Sequence, residues 1–154
     1  MNNVLNQIYR WFTKAVPAPT PQNQSVQVGV HLEEVAEMLE ALHNAFHDPS
    51  ISVAFNAVEA LAGKFKSNSM GWEEHVDAIN RTELLDSMAD QVVTAVGVFH
   101  MMDFDLRGLN EVARSNDSKF ENGKPVFNDD GKIIKGENYF PPNLTPYIFK
   151  FTGN

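Results

Sequence analysis

Glu83-Leu84-Leu85-Asp86-Ser87-Met88-Ala89-Asp90-Gln91-Val92-Val93-Thr94-Ala95-Val96-Gly97-Val98-Phe99-His100-Met101-Met102 is the stretch from which the fold is read. At about 100° per residue, Leu84, Met88, Val92, Ala95, Phe99 and Met102 fill one face of a helix, and Val93, Val96, Gly97 and Met101 cover much of the other. A helix apolar nearly all round is expected at the centre of a bundle. Glu83, Asp86 and Asp90 share a stripe that runs on through Val93, Gly97 and Met101, so acids stand at the end of an apolar face. Carboxylates crowded away from water repel one another unless something cationic joins them. A hard divalent ion with oxygen ligands is the simplest remedy.

Working outward, the chain reads as mostly helix. Residues from about Asn3 to Val16 form an amphipathic helix, stopped by Pro17, Pro19 and Pro21. A second helix is expected from about Ser25, as N-cap, to Phe46, with Asp48-Pro49 as its stop. Ser50 is expected to cap a third, from Ile51 to Lys66, and a short helical piece spans Trp72 to Ile79. Asn80 and Glu83 form a capping box for the quoted helix. Asp105 is expected to cap a last helix from Leu106 to about Ser115. Beyond it, Asn122-Gly123 and Asn128-Asp129-Asp130-Gly131 are turn signals around Pro125-Val126-Phe127 and Lys132-Ile133-Ile134, which reads as a small hairpin. The remainder, from Lys135 through Pro141-Pro142, is an irregular arm whose Phe, Tyr and Ile residues need cover from its own helices or a neighbouring subunit. The expected class is therefore all-α, a bundle of four to five helices with a short C-terminal hairpin and arm. One domain spans residues 1–154, with its helical core at about 1–118 and the hairpin and arm at about 119–154.

Composition sets the limits. At 154 residues, 43% of them apolar and 11 of them Phe, the chain can bury one real core. A balance of 12 basic against 20 acidic residues excludes a broad nucleic-acid surface, so a polyanionic ligand must bring its own metal or meet a local basic patch. The absence of cysteine removes disulfides and thiolate zinc sites and fits a reducing cytoplasm. The first helix is too polar for a signal peptide, and no apolar run approaches the roughly 18 residues of a membrane span.

On the second helix the main apolar stripe is Leu32, Val35, Leu39, Leu42 and Phe46, with Glu33, Glu34, Glu37 and Glu40 roughly opposite. Val30, Ala41 and Ala45 share the side of Glu34 and Glu37, which lie one turn apart, so these two acids are expected to meet those of the later helix across a narrow gap. Glu34-Val35-Ala36-Glu37, preceded by Glu33, resembles the Glu-x-x-Glu motif of the all-α nucleoside triphosphate pyrophosphohydrolases, the MazG, dimeric dUTPase and phosphoribosyl-ATP pyrophosphohydrolase superfamily. The segments Ala89 to Gly97, Glu111 to Phe120 and Gly131 to Pro142 resemble its small single-domain MazG-like members often carried by phages. The likeness spans Ser25 to Leu144, and Ser-Asn-x-Ser-Lys with Lys-Gly-x-x-Tyr makes it fairly specific. In the family's second motif an acid stands three residues before the Asp corresponding to Asp90, whereas here that position is Ser87. Asp86 with Asp90 is the preferred replacement pair, and Glu83 with Asp86 is the alternative.

The resemblance implies magnesium, or manganese in its place, held by Glu34, Glu37, Asp86 and Asp90. It implies hydrolysis of a (d)NTP to a monophosphate and pyrophosphate in nucleotide-pool housekeeping or phage nucleotide metabolism. Glu33 or Glu83 would orient or deprotonate water. Arg114, Asn116, Lys119 and Lys135 would contact phosphate, with Tyr139 beside them. A homodimer or homotetramer in the cytoplasm, of the host if phage-encoded, is expected, with no nucleic acid and no membrane as partner. The reading from a different class is a non-catalytic helical oligomerisation or adaptor module that keeps the fold. Weaker signals are His43 and His47 at zinc-ligand spacing, a partial calcium loop at Asn128, Asp130, Gly131 and Glu137 with Val126 in place of its first Asp, and Trp72, Phe99 or Tyr139 as stacking surfaces for a base.

Overall fold

The computed structural model describes residues 4–129 and 131–149. Among these residues, six α-helices and one two-stranded sheet make an all-α chain: α1 Val4–Ala15, α2 Pro21–Phe46, α3 Pro49–Lys66, α4 Trp72–His75, α5 Arg81–Met101, α6 Gly108–Asp117, β1 Phe120–Glu121 and β2 Lys124–Pro125. The described chain divides into two compact units. A hairpin unit holds residues 18–78 with Phe127–Ile133, and an arm unit holds residues 4–17, 79–126 and 134–149.

In the hairpin unit, Pro21 does not end a linker but opens α2 at its first position, where a missing N–H costs nothing. Thr20 is the N-cap: its hydroxyl accepts from the Asn23 amide at 3.2 Å, and the Asn23 side chain accepts from the Thr20 amide at 3.0 Å. Ser25, expected as that cap, is instead fully buried one turn inside α2 and donates its hydroxyl to the Phe65 carbonyl at 2.8 Å. His47 closes α2 in the left-handed region at φ 52°, and Asp48 caps α3 by accepting from the Ser50 amide at 2.8 Å. Ser50 is thus the capped residue, because Pro49 again takes the first helical position.

The two helices run back to back as a hairpin, and its seam is made of small residues: Ser25, Val26, Gly29 and Ala36 on α2 and Ala62 on α3 are buried. The expected stripe of larger residues is less covered, with Leu42 at 41% and Phe46 at 70% exposure. Small side chains win the seam because they permit closer backbones. A Cβ on Gly29 would lie 2.8 Å from both the Ala62 carbonyl oxygen and the Lys66 amide nitrogen. Beyond α3, Trp72 meets Phe65 edge to face and donates its indole N–H to Gln24 at 2.9 Å.

The arm unit centres on α1, α6 and the C-terminal segment. Trp11, Ala15, Ala113 and Ser115 are buried there. Trp11 donates its indole N–H to the Asn116 carbonyl at 2.9 Å and stacks edge to face on Phe12 and Phe120. Asn122 and Gly123 turn β1 into β2, both at positive φ (50° and 77°), the requirement of a type I′ turn. This turn makes the hairpin, whereas Phe127 and Ile133 form a single bridge. Asp105, expected as the cap of the last helix, instead accepts from the Arg107 amide at 2.8 Å in the turn before it, and α6 begins at Gly108 with Arg107 in the cap position and no side-chain cap bond.

α5 overturns the expectation of a central helix. Asn80 caps it, accepting from the Thr82 and Glu83 amides at 3.2 and 3.3 Å, but Glu83 does not return the bond, so only half of the expected capping box forms; none of the helix's residues is buried. Leu85, Val93 and Met101 are 70%, 67% and 72% exposed. Among the described residues, none covers this apolar surface, whatever its periodicity. Among the described residues no helix is long and apolar enough to cross a membrane.

Candidate functional site

Three groups of expected site residues take definite places. On α2, Glu34 and Glu37 are exposed one turn apart. Glu33 differs from them because it follows Val26 and Gly29 on the face turned to α3. Its carboxylate accepts from Lys66 Nζ at 2.8 Å and from Lys132 Nζ at 2.6 Å. Burial alone would raise its pKa, but the hydrogen bonds and charges of Lys132 and Lys66 outweigh that and hold it below the usual range. A carboxylate bonded to two ammonium groups is a weak proton acceptor. Of the two acids expected as general base, Glu33 is therefore chemically the less suited.

On α5, Glu83, Asp86 and Asp90 are exposed. Their side chains, like that of Glu37, have no hydrogen-bond or ion-pair partner among the described residues. Other acids are engaged within the chain: Glu33 by two lysines, Asp105 by Arg107, Glu111 by Arg114 and Glu121 by the Glu137 amide. Glu34 and Glu37 belong to the hairpin unit, Asp86 and Asp90 to the arm unit. Among the described residues no three His, Asp or Glu side chains converge closely enough to hold a metal ion. The donor chemistry nevertheless fits a hard cation, since the assigned ligands are all carboxylates at one-turn spacing on accessible helix faces.

The third group gathers at the end of α6. Here Arg114, Asn116 and Lys119 stand beside the segment that carries Lys135 and Tyr139, and two buried or half-buried serines make the join. Ser115 donates to the Phe140 carbonyl at 2.8 Å and lies 3.4 Å from the Tyr139 hydroxyl. Ser118 accepts from the Phe140 amide at 2.9 Å. Lys135 Nζ sits 5.0 Å above the Tyr139 ring. Arg114 is bidentate on Glu111 at 2.8 and 2.7 Å, which leaves it less free to bind phosphate than the sequence implied. Glu111 also accepts from the Asn143 amide at 2.9 Å, and Arg114 with that amide pulls its pKa down to about 2. The Asn116 carbonyl is taken by Trp11.

The sequence reading assigned no role to Lys66 or Lys132, and Ser115 and Ser118 entered it only as the serines of the Ser-Asn-x-Ser-Lys segment. Lys66 was reachable: a hairpin turning at His47-Asp48 sets Glu33 near residue 62, one helical turn from Lys66. Lys132 gave no such signal.

The weaker signals gain little. His43 and His47 meet edge to face with ring centroids 6.5 Å apart, and His43 Nδ1 already contacts the Asp48 carbonyl at 3.3 Å. In the calcium-like segment, Asp130 lies outside the described residues, and the Asn128 side chain accepts from the Lys132 amide at 2.8 Å. Comparison with family models, with curated proteins and with solved structures gave no match.

Proposed function

We propose that the chain is a magnesium-dependent nucleoside triphosphate pyrophosphohydrolase of the MazG-like kind, cleaving a (d)NTP to its monophosphate and pyrophosphate. The observation that carries the reading is the accessibility of the acids themselves: Glu37, Glu83, Asp86 and Asp90 are exposed and have no side-chain partner among the described residues, and they lie in or next to the sequence segments that carry the resemblance. Glu34, Glu37, Asp86 and Asp90 would hold the ion, manganese serving in its place. Once bound, a divalent cation supplies neutralisation of the triphosphate and a water of lowered pKa. Glu83, exposed and without an ion pair among the described residues, would be the better-suited proton acceptor of the two, with Glu33 fixed by its lysines in a positioning role. Lys119 and Lys135 would meet phosphate oxygens, and Tyr139 carries Lys135 above its ring.

A panel of (d)NTPs with pyrophosphate detection, with and without magnesium, tests this directly. Glu37→Gln and Asp90→Asn should each lower turnover about a hundredfold, because a lost ligand misplaces the ion. Both side chains are exposed, so the metal-free variants should melt within a degree or two of the parent. Retained turnover in both variants, or no pyrophosphate from any nucleotide, sinks the proposal. The reading as a non-catalytic oligomerisation module draws on the exposure of α5, and it alone predicts self-association without hydrolysis.

A further inference from the structure

Two lysines far apart in sequence bring their charges to one carboxylate. Lys66 Nζ lies 2.8 Å from Glu33 Oε1 and Lys132 Nζ lies 2.6 Å from Oε2, so each oxygen holds one ammonium group. Arg107 with Asp105 and Arg114 with Glu111 pair one to one and cancel. Two cations on one anion instead leave an excess positive charge, in a chain whose net charge is -8. All three residues belong to the hairpin unit. We propose that Lys66 and Lys132 form a phosphate-binding site on that unit, with Glu33 holding their ammonium groups side by side.

Both lysines are set in place before any ligand arrives. The Lys66 stem crosses α2 at Gly29, where an added Cβ would fall 2.7 Å from its Cγ, so the missing side chain is the room through which Lys66 reaches Glu33 one turn further on. Lys132 is fixed by a turn: its amide donates to the Asn128 side chain at 2.8 Å, its carbonyl accepts from the Asn128 amide at 2.9 Å, and Gly131 takes the left-handed region at φ 81°. An ammonium group carries three N–H donors, and each of these two spends one on Glu33. The lysine side chains are 28% and 36% exposed, so an anion can reach the donors that remain. Charge selects the anion. A phosphate group brings a charge of about -1.5 to -2 and three acceptor oxygens, enough to bridge both ammonium groups and outweigh the repulsion of Glu33. The phosphate can arrive free or as the tail of a nucleotide. The site needs neither metal nor hydrolysis, so it stands apart from the activity proposed above.

Calorimetric titration of the full chain in metal-free buffer, with inorganic tripolyphosphate in one arm and a deoxynucleoside triphosphate in the other, reads binding without turnover. Saturable binding is expected in both arms and should weaken as salt is added. Equal affinities make free polyphosphate the sufficient ligand, and a tighter nucleotide makes it the tail of a nucleotide. Lys66→Gln and Lys132→Gln should each weaken binding about tenfold, whereas Lys132→Arg keeps the charge and should retain it. Glu33→Gln keeps the shape of the side chain and removes the charge that repels phosphate, so it should tighten binding about tenfold. A carboxylate that merely fastens two lysines predicts no such gain. Absence of binding to the parent at millimolar probe, undiminished binding in the folded lysine-to-glutamine variants, or a Glu33→Gln affinity no better than the parent's overturns the proposal. If circular dichroism shows either lysine-to-glutamine variant unfolded, Lys132→Arg and Glu33→Gln decide, and loss of binding in a folded Lys132→Arg chain is equally fatal.

Discussion

Replacing Gly29 with alanine sets two opposed effects against each other inside α2. Alanine in a helix interior is favoured over glycine by about 0.8–1 kcal/mol. The added methyl, however, would sit 2.7 Å from Lys66 Cγ and 2.8 Å from the Ala62 carbonyl oxygen and the Lys66 amide nitrogen. The lysine stem can swing aside, but the two backbone atoms yield only if α3 moves away from α2. Forced overpacking of this kind costs about 1–3 kcal/mol, and immobile neighbours put Gly29 toward the upper end. Moving Lys66 also stretches its 2.8 Å bond to Glu33. The net expectation is a loss of about 1–2 kcal/mol, or about 2–8 °C in melting temperature. Gly63→Ala and Gly97→Ala are the internal controls, because a Cβ at either position meets nothing within 4 Å. Each should gain up to about 1 kcal/mol. Urea unfolding of the three variants beside the parent, at equal denaturant slope, reads the sign at each site. If Gly29→Ala is as stable as the parent while the controls gain, the close approach of α2 and α3 is not what demands glycine there.

Acid should loosen the hold of Glu111 on the C-terminal arm. The Glu111 carboxyl is held near pKa 2 against an ordinary 4.5, so its contribution is complete above 4.5 and is lost as pH falls through about 2. The protection of the Asn143 amide, which donates to Glu111, relative to its unstructured exchange rate at the same pH should stay high at pH 4.5 and fall toward pH 2; uniform protection across that range would refute the link. Ser115→Ala removes a 2%-exposed hydroxyl from the Phe140 carbonyl and should cost about 1–2 kcal/mol, visible as a lower denaturation midpoint. An unchanged midpoint would mean that the serine does not fasten the arm.

Helix existence was legible because it rests on local chemistry: proline stops, an Asn80 cap and long apolar periodicity survive without knowledge of neighbours. Helix starts were less so. Pro21 reads as a breaker in isolation and as an ideal first residue once Thr20 caps it, and Pro49 repeats the ambiguity after Asp48. The buried seam of α2 was misjudged because side-chain size argues for Leu42 and Phe46, while a close helix pair selects Ser25, Gly29 and Ala36. For the candidate site, the acids and the α6 segment were visible as residues. The state of Glu33 was only half legible: Lys66 follows from the hairpin turn at His47-Asp48, whereas Lys132 lies 99 positions away with no local signal. Periodicity likewise named the apolar side chains of α5, but periodicity carries no information about what covers them.

The C-terminal segment is gripped mainly by its main chain: Ser115 and Ser118 hold the carbonyl and amide of Phe140, and Glu111 holds the amide of Asn143. Attachment through peptide groups is blind to the side chains they bear, and the Phe140 ring is 61% exposed. The outward residues of this strap are therefore open to substitution at little cost to its anchorage, whereas proline at 140 or 143, which deletes the bonded N–H, is forbidden. A surface whose path is fixed while its chemistry is free to vary is a place where related chains can acquire different ligands without rebuilding the helices beneath.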